Sequence, residues 1–285
     1  MKIDGKLIAS EIKKTLKIQI SDLKSKNVTS HLAVILAGSD PSSHTYVRQK
    51  QKVGEEIGAK VTIHHPSKLD KLVQLVQSLN TDPSVHGIII QRPLPFDIPK
   101  HQLDQLVIPA KDVDGFHPDS PFTPPIALAV IEILKFIFKN QTINYQLSTN
   151  NSFLAWLQAK KVLIIGRGET GGKPIADYLK KLKIPFTLAH SKTSPVEFKK
   201  LTLNADIIIS AVGKSNIVRP SILSSKSILI GVGLHPEDDK LKPDYNQEEI
   251  ADKVAFYTPV PGGVGPVNVA CLFENLIQAC LSFND

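Results

Sequence analysis

The chain has 285 residues, 42% hydrophobic and 21% charged, which is the profile of a soluble globular protein long enough for two domains. No apolar run approaches the roughly 18–20 residues of a membrane span, and the opening MKIDGKLIASEIKK lacks the apolar core of a signal peptide, so we expect a cytoplasmic protein without a membrane partner. A nucleic-acid partner could explain the net charge of +7, but the lysines are scattered and form no basic stripe interleaved with aromatic residues. A binding site for anionic small molecules explains the charge as well.

The first half of the chain alternates helical patterns with short apolar runs. Helices are predicted over 6–24, 42–57 and 69–79, and strands over 31–37, 61–65 and 85–91. Strands that alternate with helices predict right-handed βαβ units and a parallel sheet.

The second half repeats this alternation after a predicted connecting helix over 124–139 and a polar loop over 140–151. Strands are predicted over 161–166, 185–190, 205–213 and 227–233, and helices over 173–182, 195–203 and 267–283. The expected fold class is α/β, with two α/β domains, the C-terminal one a Rossmann-type parallel sheet, and a cleft between them. Cys271 and Cys280 are interpreted as buried free thiols, and no metal site is expected.

A glycine fingerprint follows the strand over 161–166. Gly166, Gly168 and Gly171 have the Gly-x-Gly-x-x-Gly spacing and open a helix, which is the context that a dinucleotide site requires. The first glycine permits a tight turn, the second lets phosphate oxygens reach backbone N–H groups, and the third allows close packing of helix and strand. The alternative is a glycine-rich turn without a ligand.

The next strand indicates which nicotinamide cofactor the fingerprint holds. It ends in His190-Ser191-Lys192-Thr193, without the carboxylate that usually binds the ribose 2′-hydroxyl of NAD. Arg167 and the hydroxyl of Ser191 suit a 2′-phosphate better, so the sequence favours NADP and leaves NAD possible. Ser191 could also cap the following helix, and both roles can coexist.

Three segments of the first half carry candidate catalytic side chains. Tyr46 and Lys50 are four residues apart on a predicted helix and share one face. Gln91 ends a strand, where open α/β sheets place ligands. The segment 111–115 (KDVDG) packs two carboxylates and a lysine into a turn. Taken singly, the first pair could be an ordinary surface pair and the turn an ordinary solvated turn.

Together these segments resemble the bifunctional methylenetetrahydrofolate dehydrogenase/cyclohydrolase family, over nearly the whole chain and in the family's order. The matching segments are IDGK (3–6), GSDPSSHTYVRQK (38–50), QRPLP (91–95), KDVDGF (111–116) and TPVPGGVGP (258–266). The resemblance implies oxidation of 5,10-methylenetetrahydrofolate to the methenyl compound with NADP, followed by hydrolysis to 10-formyltetrahydrofolate. A monofunctional, NAD-dependent dehydrogenase is the alternative.

The resemblance also implies roles for matching positions. Lys50 corresponds to the catalytic lysine of ring opening, Tyr46 to a tyrosine that stacks on the folate, Gln91 to a glutamine beside the lysine, and Asp114 to the carboxylate that holds the pterin. The remaining substrate-binding positions are Pro93, Pro261, Gly262 and Gly263. The cofactor-binding positions are Gly166, Arg167, Gly168, Gly171, Ser191 and Leu234.

These residue types suit the chemistry. A lysine acts as a base only when its pKa falls towards neutrality, through desolvation or a nearby cation such as the methenyl group. Gln91 can orient the amine without adding a charge, and Asp114 can accept two hydrogen bonds from a pterin. Hydride transfer itself needs no protein acid, so positioning does most of that work.

The sequence departs from the family mainly in its cofactor half. Gly168, Thr170 and Gly171 replace a common serine, isoleucine and valine, and Gly231 and Asn268 replace a common aspartate and threonine. The expected domains are a folate-binding catalytic domain over 1–122, completed by the helix over 267–285, and an NAD(P)-binding domain over 123–266. A homodimer is expected by analogy with the family.

Overall fold

The structure is a computed structural model that describes residues 1–141, 150–237 and 240–282. It divides into two compact units. The first unit comprises Ala9–Pro125 with the residues from Val269 onward, and the second comprises Met1–Ile8 with Ile126–Asn268. The divisions after Pro125 and after Asn268 lie near the predicted boundaries, whereas residues 1–8, predicted in the first domain, belong to the second unit. The functional boundaries at 122 and 266 stay a prediction.

The helices and strands follow in chain order. The helices are α1 (Gly5–Ser25), α2 (Pro41–Ile57), α3 (Leu69–Thr81), α4 (Lys100–Asp104), α5 (Pro125–Gln141), α6 (Asn150–Gln158), α7 (Gly172–Lys181), α8 (Pro195–Asn204), α9 (Gln247–Ile250) and α10 (Val264–Ser282). The strands are β1 (His31–Ile35), β2 (Lys60–His64), β3 (Gly87–Ile90), β4 (Val162–Ile165), β5 (Phe186–Ala189), β6 (Ile207–Ser210), β7 (Ile228–Gly231), β8 (Leu234–Glu237), β9 (Lys240–Pro243) and β10 (Phe256–Tyr257).

The first unit contains a parallel sheet of strand order β2-β1-β3. Residues of β1 and β3 are buried on both faces, as expected for a parallel sheet covered by helices. One face packs on a cluster that includes Leu16, Val47 and Phe273, and the other on a cluster that includes Leu72 and Val76. Chain order reverses between β1 and β3, where an open α/β sheet binds its ligand at the strands' carboxyl ends.

The second unit contains a parallel sheet of strand order β10-β7-β6-β4-β5, with an antiparallel hairpin of β8 and β9. Counted from β4, the five strands have the doubly wound order 2-1-3-4-5, so the switch point lies between β4 and β6. The glycine loop after β4 therefore starts at the position where this fold class binds nucleotides.

The fold class is confirmed, because the protein is α/β with parallel sheets in two units. All predicted strands and helices form, with ends that shift by a few residues. The predicted loop over 140–151 is wrong at both ends, because α5 continues to Gln141 and α6 begins at Asn150, and residues 142–149 lie outside the described part. The sequence prediction also missed α4, α6, α9, β10 and the β8–β9 hairpin.

Helix α10 has 19 residues and is mostly apolar, although the sequence analysis found no apolar run of that length. By length and composition alone it is the one helix among the described residues that could cross a membrane, but 67% of that window is buried within the protein. A mostly buried helix of this kind is typical of a protein core. Cys271 and Cys280 are both fully buried on it and form no disulfide among the described residues, as predicted.

Candidate active site and nucleotide site

Helix α2 is capped at both ends, at its start by residues of the family segment over 38–50 and at its end by Gly58. The Asp40 carboxylate accepts the backbone N–H of Ser43 at 2.8 Å, and Pro41 stands at the first helical position. Gly58 ends the helix in the left-handed conformation, with φ of +87°. This capping fixes where the helix that carries Tyr46 and Lys50 begins and ends.

Lys50 and Gln91, predicted as neighbours, are in direct contact. The buried Lys50 Nζ donates to Gln91 Oε1 at 2.9 Å. The other side of the Gln91 amide is fixed, because Nε2 donates to the carbonyl oxygen of Arg92 at 3.0 Å. The amide oxygen is therefore held towards the lysine by the residue's own loop.

Burial perturbs the titration of both helix side chains. It lowers the pKa of the Lys50 ammonium, while the nearby Asp114 carboxylate acts in the opposite direction. Burial also raises the pKa of the half-buried Tyr46 phenol. A lysine with a lowered pKa has a larger neutral fraction near pH 7, which a general base requires.

The turn that carries Asp114 is anchored from two sides. Lys111, itself buried, donates from Nζ to the carbonyl oxygens of Leu79 at 2.9 Å and Asp82 at 2.6 Å. Asn275 of α10 donates to the carbonyl oxygen of Val113 at 2.9 Å. Asp114 itself stays half-buried, so its carboxylate is available to a ligand.

Asp112, the other carboxyl of this turn, lies in the protein interior. Burial raises the pKa of the Asp112 carboxyl to about 7, although it accepts the backbone N–H of His117 at 2.7 Å. The charge of Asp114 raises this pKa further. The two carboxyls of one short motif therefore have different tasks: Asp112 braces the turn from inside, and Asp114 faces outward.

Arg92 joins segments that sequence analysis treated separately. Its guanidinium lies 4.1 Å from the centre of the Phe116 ring, and its Nη2 is 2.5 Å from Asp104 Oδ1. These contacts tie the loop of Gln91 to the turn of Asp114. The sequence analysis did not predict these contacts, because the family resemblance of the segment 91–95 depends on its other residues and not on Arg92. The following residue, Pro93, is exposed and joined to Arg92 by a cis peptide bond.

In the glycine loop of the second unit, the tightest steric requirement falls on Gly172 rather than on the predicted Gly171. Gly166 has φ of +99°, and a Cβ there would lie 2.4 Å from the carbonyl oxygen of Ala211. A Cβ on Gly172 would lie 2.1 Å from the carbonyl oxygen of Gly166. A Cβ on Gly171 would make only ordinary contacts, and one on Gly168 would meet nothing within 4 Å. Close packing of loop and helix thus depends on Gly166 and Gly172.

Arg167 and Ser191, predicted to bind a 2′-phosphate, are both exposed. Ser191 does not cap α8, because Ser194 accepts the backbone N–H of Glu197 at 3.2 Å and occupies the capping position. The hydroxyl of Ser191 therefore has no capping role that would compete with a ligand. The sequence did contain a signal for this cap. Ser194 directly follows the segment 190–193, and it precedes Pro195 and Glu197, as is typical of a helix start.

Asp244 organises the loop after β6, which no motif indicated. Its buried carboxylate accepts Ser210 Oγ at 2.6 Å and the backbone N–H groups of Val212, Gly213 and Lys214 at 2.9, 2.8 and 3.0 Å. This loop packs on the glycine loop at the switch point. Leu234 is half-buried at the start of β8, and its carbonyl oxygen lies beside Gly213.

The loop over 258–263, which contains Pro261, Gly262 and Gly263, is held on several sides within the second unit. The Tyr245 hydroxyl donates to the carbonyl oxygen of Thr258 at 2.5 Å, and the Gly5 N–H donates to that of Gly262 at 2.9 Å. Pro261 is exposed after a cis peptide bond, Gly262 has φ of +98°, and Gly263 is buried. Helix α10 begins at Val264, earlier than the predicted residue 267, so the loop is shorter than expected.

Gly231, where the family commonly has aspartate, leaves room for Tyr245. A Cβ on Gly231 would lie 2.5 Å from the hydroxyl oxygen of Tyr245. The Gly231 N–H donates to Thr258 Oγ1 at 2.8 Å. Any side chain at residue 231 would therefore collide with the Tyr245 hydroxyl.

Two family models match the chain. The tetrahydrofolate dehydrogenase/cyclohydrolase catalytic domain matches residues 3–114, and the NAD(P)-binding domain of the same family matches residues 149–283. A curated relative, the bifunctional protein FolD of Campylobacter jejuni (strain RM1221), is 37% identical over 97% of this chain and 97% of its own length.

Solved structures agree with this. The bifunctional enzyme FolD from Campylobacter jejuni superimposes with a TM-score of 0.86 at 36% identity, covering 99% of each chain. The Trypanosoma brucei methylenetetrahydrofolate dehydrogenase-cyclohydrolase, in complex with NADP and an inhibitor, gives a TM-score of 0.87 at 27% identity, covering 99% of this chain and 97% of its own.

Proposed function

The chain belongs to the tetrahydrofolate dehydrogenase/cyclohydrolase family, and from that premise we propose that its first unit carries the catalytic residues and most of the folate-binding residues, and its second unit the NADP-binding residues and the substrate-binding loop residues Pro261, Gly262 and Gly263. The chain is an NADP-dependent methylenetetrahydrofolate dehydrogenase and methenyltetrahydrofolate cyclohydrolase. The substrate's methylene carbon loses a hydride, and water then adds to the methenyl carbon, which opens the ring to 10-formyltetrahydrofolate and releases a proton. The bifunctional relatives do not favour the monofunctional alternative.

Lys50 is the general base of ring opening. The observation that carries this role is the contact of its buried amine with Gln91 Oε1 at 2.9 Å. Burial favours the neutral amine, which can take a proton from the attacking water. Gln91 directs the amine without a charge that would stabilise the ammonium, and the carbonyl of Arg92 fixes the amide in the orientation that allows it.

Asp114 and Tyr46 hold the folate. The half-buried carboxylate of Asp114 offers two acceptor oxygens on a turn braced by Lys111 and Asn275, so it can meet the paired N–H donors of a pterin. Tyr46, one turn before Lys50 on the same helix face, offers a flat apolar ring for stacking. Pro93 and the loop residues Pro261, Gly262 and Gly263 complete the substrate contacts.

The glycine loop and its neighbours hold the cofactor. Gly166, Gly168 and Gly171 present backbone at the N-terminus of α7, at the sheet's switch point, which suits a pyrophosphate. The exposed side chains of Arg167 and Ser191 suit a 2′-phosphate, and Leu234 lies at the start of β8 for an apolar contact. Bound NADP supplies the hydride acceptor.

The finer expectations belong to the same proposal. The functional domains are residues 1–122 with 267–285 and residues 123–266. The protein works as a cytoplasmic homodimer without nucleic-acid or membrane partners. Size-exclusion chromatography with light scattering tests the dimer, since a monomer at working concentration would contradict it.

One assay tests the two activities together. Purified protein is incubated with 5,10-methylenetetrahydrofolate and either NADP or NAD, and the methenyl absorbance and the formyl product are followed over time. We expect methenyl formation with NADP and its onward conversion to 10-formyltetrahydrofolate. If the methenyl compound is hydrolysed no faster than without enzyme, the cyclohydrolase activity is contradicted. A preference for NAD would contradict the cofactor assignment.

A further inference from the structure

We propose that Gln247 is a positioning residue that fixes the loop over 258–263 in the conformation required for folate turnover. This inference rests on the proposed function, in which Pro261, Gly262 and Gly263 contact the substrate. Gln247 lies outside every segment that carries the family resemblance and has no role in the reaction chemistry itself.

The side-chain amide of Gln247 forms hydrogen bonds with both the N–H and the carbonyl oxygen of one loop residue, Val260. Its Nε2 donates to the carbonyl oxygen of Val260 at 2.8 Å, and its Oε1 accepts the N–H of Val260 at 2.9 Å. This pairing imitates the bonding between two strands. It satisfies both backbone groups of Val260, the residue directly before Pro261.

The loop has few other ways to be held there. Its prolines, Pro259 and Pro261, have no N–H to donate, and Gly262 and Gly263 have no side chains. Tyr245 holds the start of the loop through the carbonyl of Thr258, and Gly5 holds its end through the carbonyl of Gly262. Gln247 is the anchor between these two, at the middle of the loop.

The pairing demands an amide rather than a residue of similar size. Only a side chain that presents a donor and an acceptor side by side can satisfy both groups of Val260. A carboxylate can accept from the N–H but directs its second oxygen at the Val260 carbonyl oxygen. Protonation of that carboxyl would restore a donor, so a glutamate at this position should become competent again at low pH.

The test compares Gln247→Ala, Gln247→Glu and the control Glu248→Gln, an exposed neighbour on the same short helix. At pH 8 we expect both Gln247 variants to raise KM for methylenetetrahydrofolate about tenfold, which corresponds to one lost hydrogen-bonding pair. The dissociation constant for NADP, measured by titration without folate, should stay unchanged, and so should the control. Lowering the pH to 5 should lower KM, relative to wild type, about two- to threefold in Gln247→Glu but not in Gln247→Ala, because about a sixth of a glutamate carboxyl with its ordinary pKa is protonated at that pH.

Unchanged KM in both Gln247 variants would overturn the proposal. Equal loss of NADP and folate binding, with the same lowered melting temperature in both and no rescue at low pH, would overturn it too, since it would show a merely structural role. Wild-type protein without any folate turnover would instead contradict the proposed function, so the two failures are distinguishable.

Discussion

The Lys50 region of the first unit and the glycine loop of the second unit are held in place by different kinds of residue. Around Lys50, the residues that hold one another belong mostly to the recognisable segments: Asp40 caps the helix of Lys50, Gln91 accepts its amine, and Lys111 braces the turn of Asp114. Around the glycine loop, two motif glycines meet no steric demand, while Gly172 and Asp244 lie outside the fingerprint and hold the backbone.

This difference follows from what each site must do. A proton-transferring amine needs particular side chains at short distances, so few residue types can replace one another. A pyrophosphate binds to backbone N–H groups, and many side-chain sets can hold the same backbone path. Gly168 and Gly171, which depart from the common family pattern, lie in this loop, where backbone N–H groups rather than side chains would bind the ligand.

The largest expected effect is at Lys50. Lys50→Ala should lower the cyclohydrolase rate about 1,000-fold, because general-base catalysis contributes about 10²–10⁴-fold. The dehydrogenase should be impaired much less, since hydride transfer needs no protein acid. Decay of the methenyl absorbance measures the first activity and NADP reduction the second. Lys52→Ala, at an exposed position on the same helix, is the control, and a Lys50→Ala enzyme with wild-type hydrolysis would remove Lys50 from the mechanism.

The two kinds of glycine in the nucleotide loop should respond oppositely. Gly172→Ala introduces a Cβ 2.1 Å from a backbone oxygen, an overpacking that costs about 1–3 kcal/mol and can weaken NADP binding by up to about 100-fold. Gly168→Ala, with nothing within 4 Å of its Cβ, should leave the affinity close to wild type. Calorimetric titration with NADP measures both. Equal losses would show that the fingerprint spacing, rather than steric packing, governs this loop.

A smaller effect is expected at Arg167. Arg167→Ala should weaken NADP about tenfold and leave NAD nearly unchanged, because the charged hydrogen bond to a 2′-phosphate exists only for NADP. Dissociation constants for both nucleotides, measured with one variant, decide this. Equal weakening would mean that Arg167 does not recognise the 2′-phosphate, and Lys192→Ala would then be the next variant to examine.

The last prediction concerns stability rather than ligand binding or catalysis, at Asp112. Its carboxyl has a pKa of about 7 in the folded protein against 3.8 as the ordinary value, so the folded state binds more protons between those pH values. The free energy of unfolding should therefore fall as pH rises through this window, by up to about 1.4 kcal/mol per pH unit for this group. Urea unfolding at pH 5 and pH 7.5 measures it. Asp112→Asn should reduce the pH dependence, and an unchanged slope would contradict the assignment.

Local patterns in the sequence predicted most of the fold, and the family resemblance predicted that Gln91 lies beside Lys50. Apolar runs bounded by glycine and proline indicated the strands, and Tyr46, Lys50, Gln91 and Asp114 stand in segments of fixed spacing. The sequence could not predict long-range partners such as Asn275 at the turn of Asp114. It also missed the β8–β9 hairpin, whose short, charged, proline-containing strands lack apolar alternation.

The two cysteines of α10 give the first unit an internal reporter of its own opening. Both thiols are fully buried, and burial raises the pKa of Cys280 to about 11, so the reactive thiolate is scarce as well as shielded. An alkylating reagent can modify them only when the helix transiently separates from the sheet. The rate of modification therefore measures how often α10 opens locally. Comparing this rate with and without bound folate shows how much the ligand suppresses that opening.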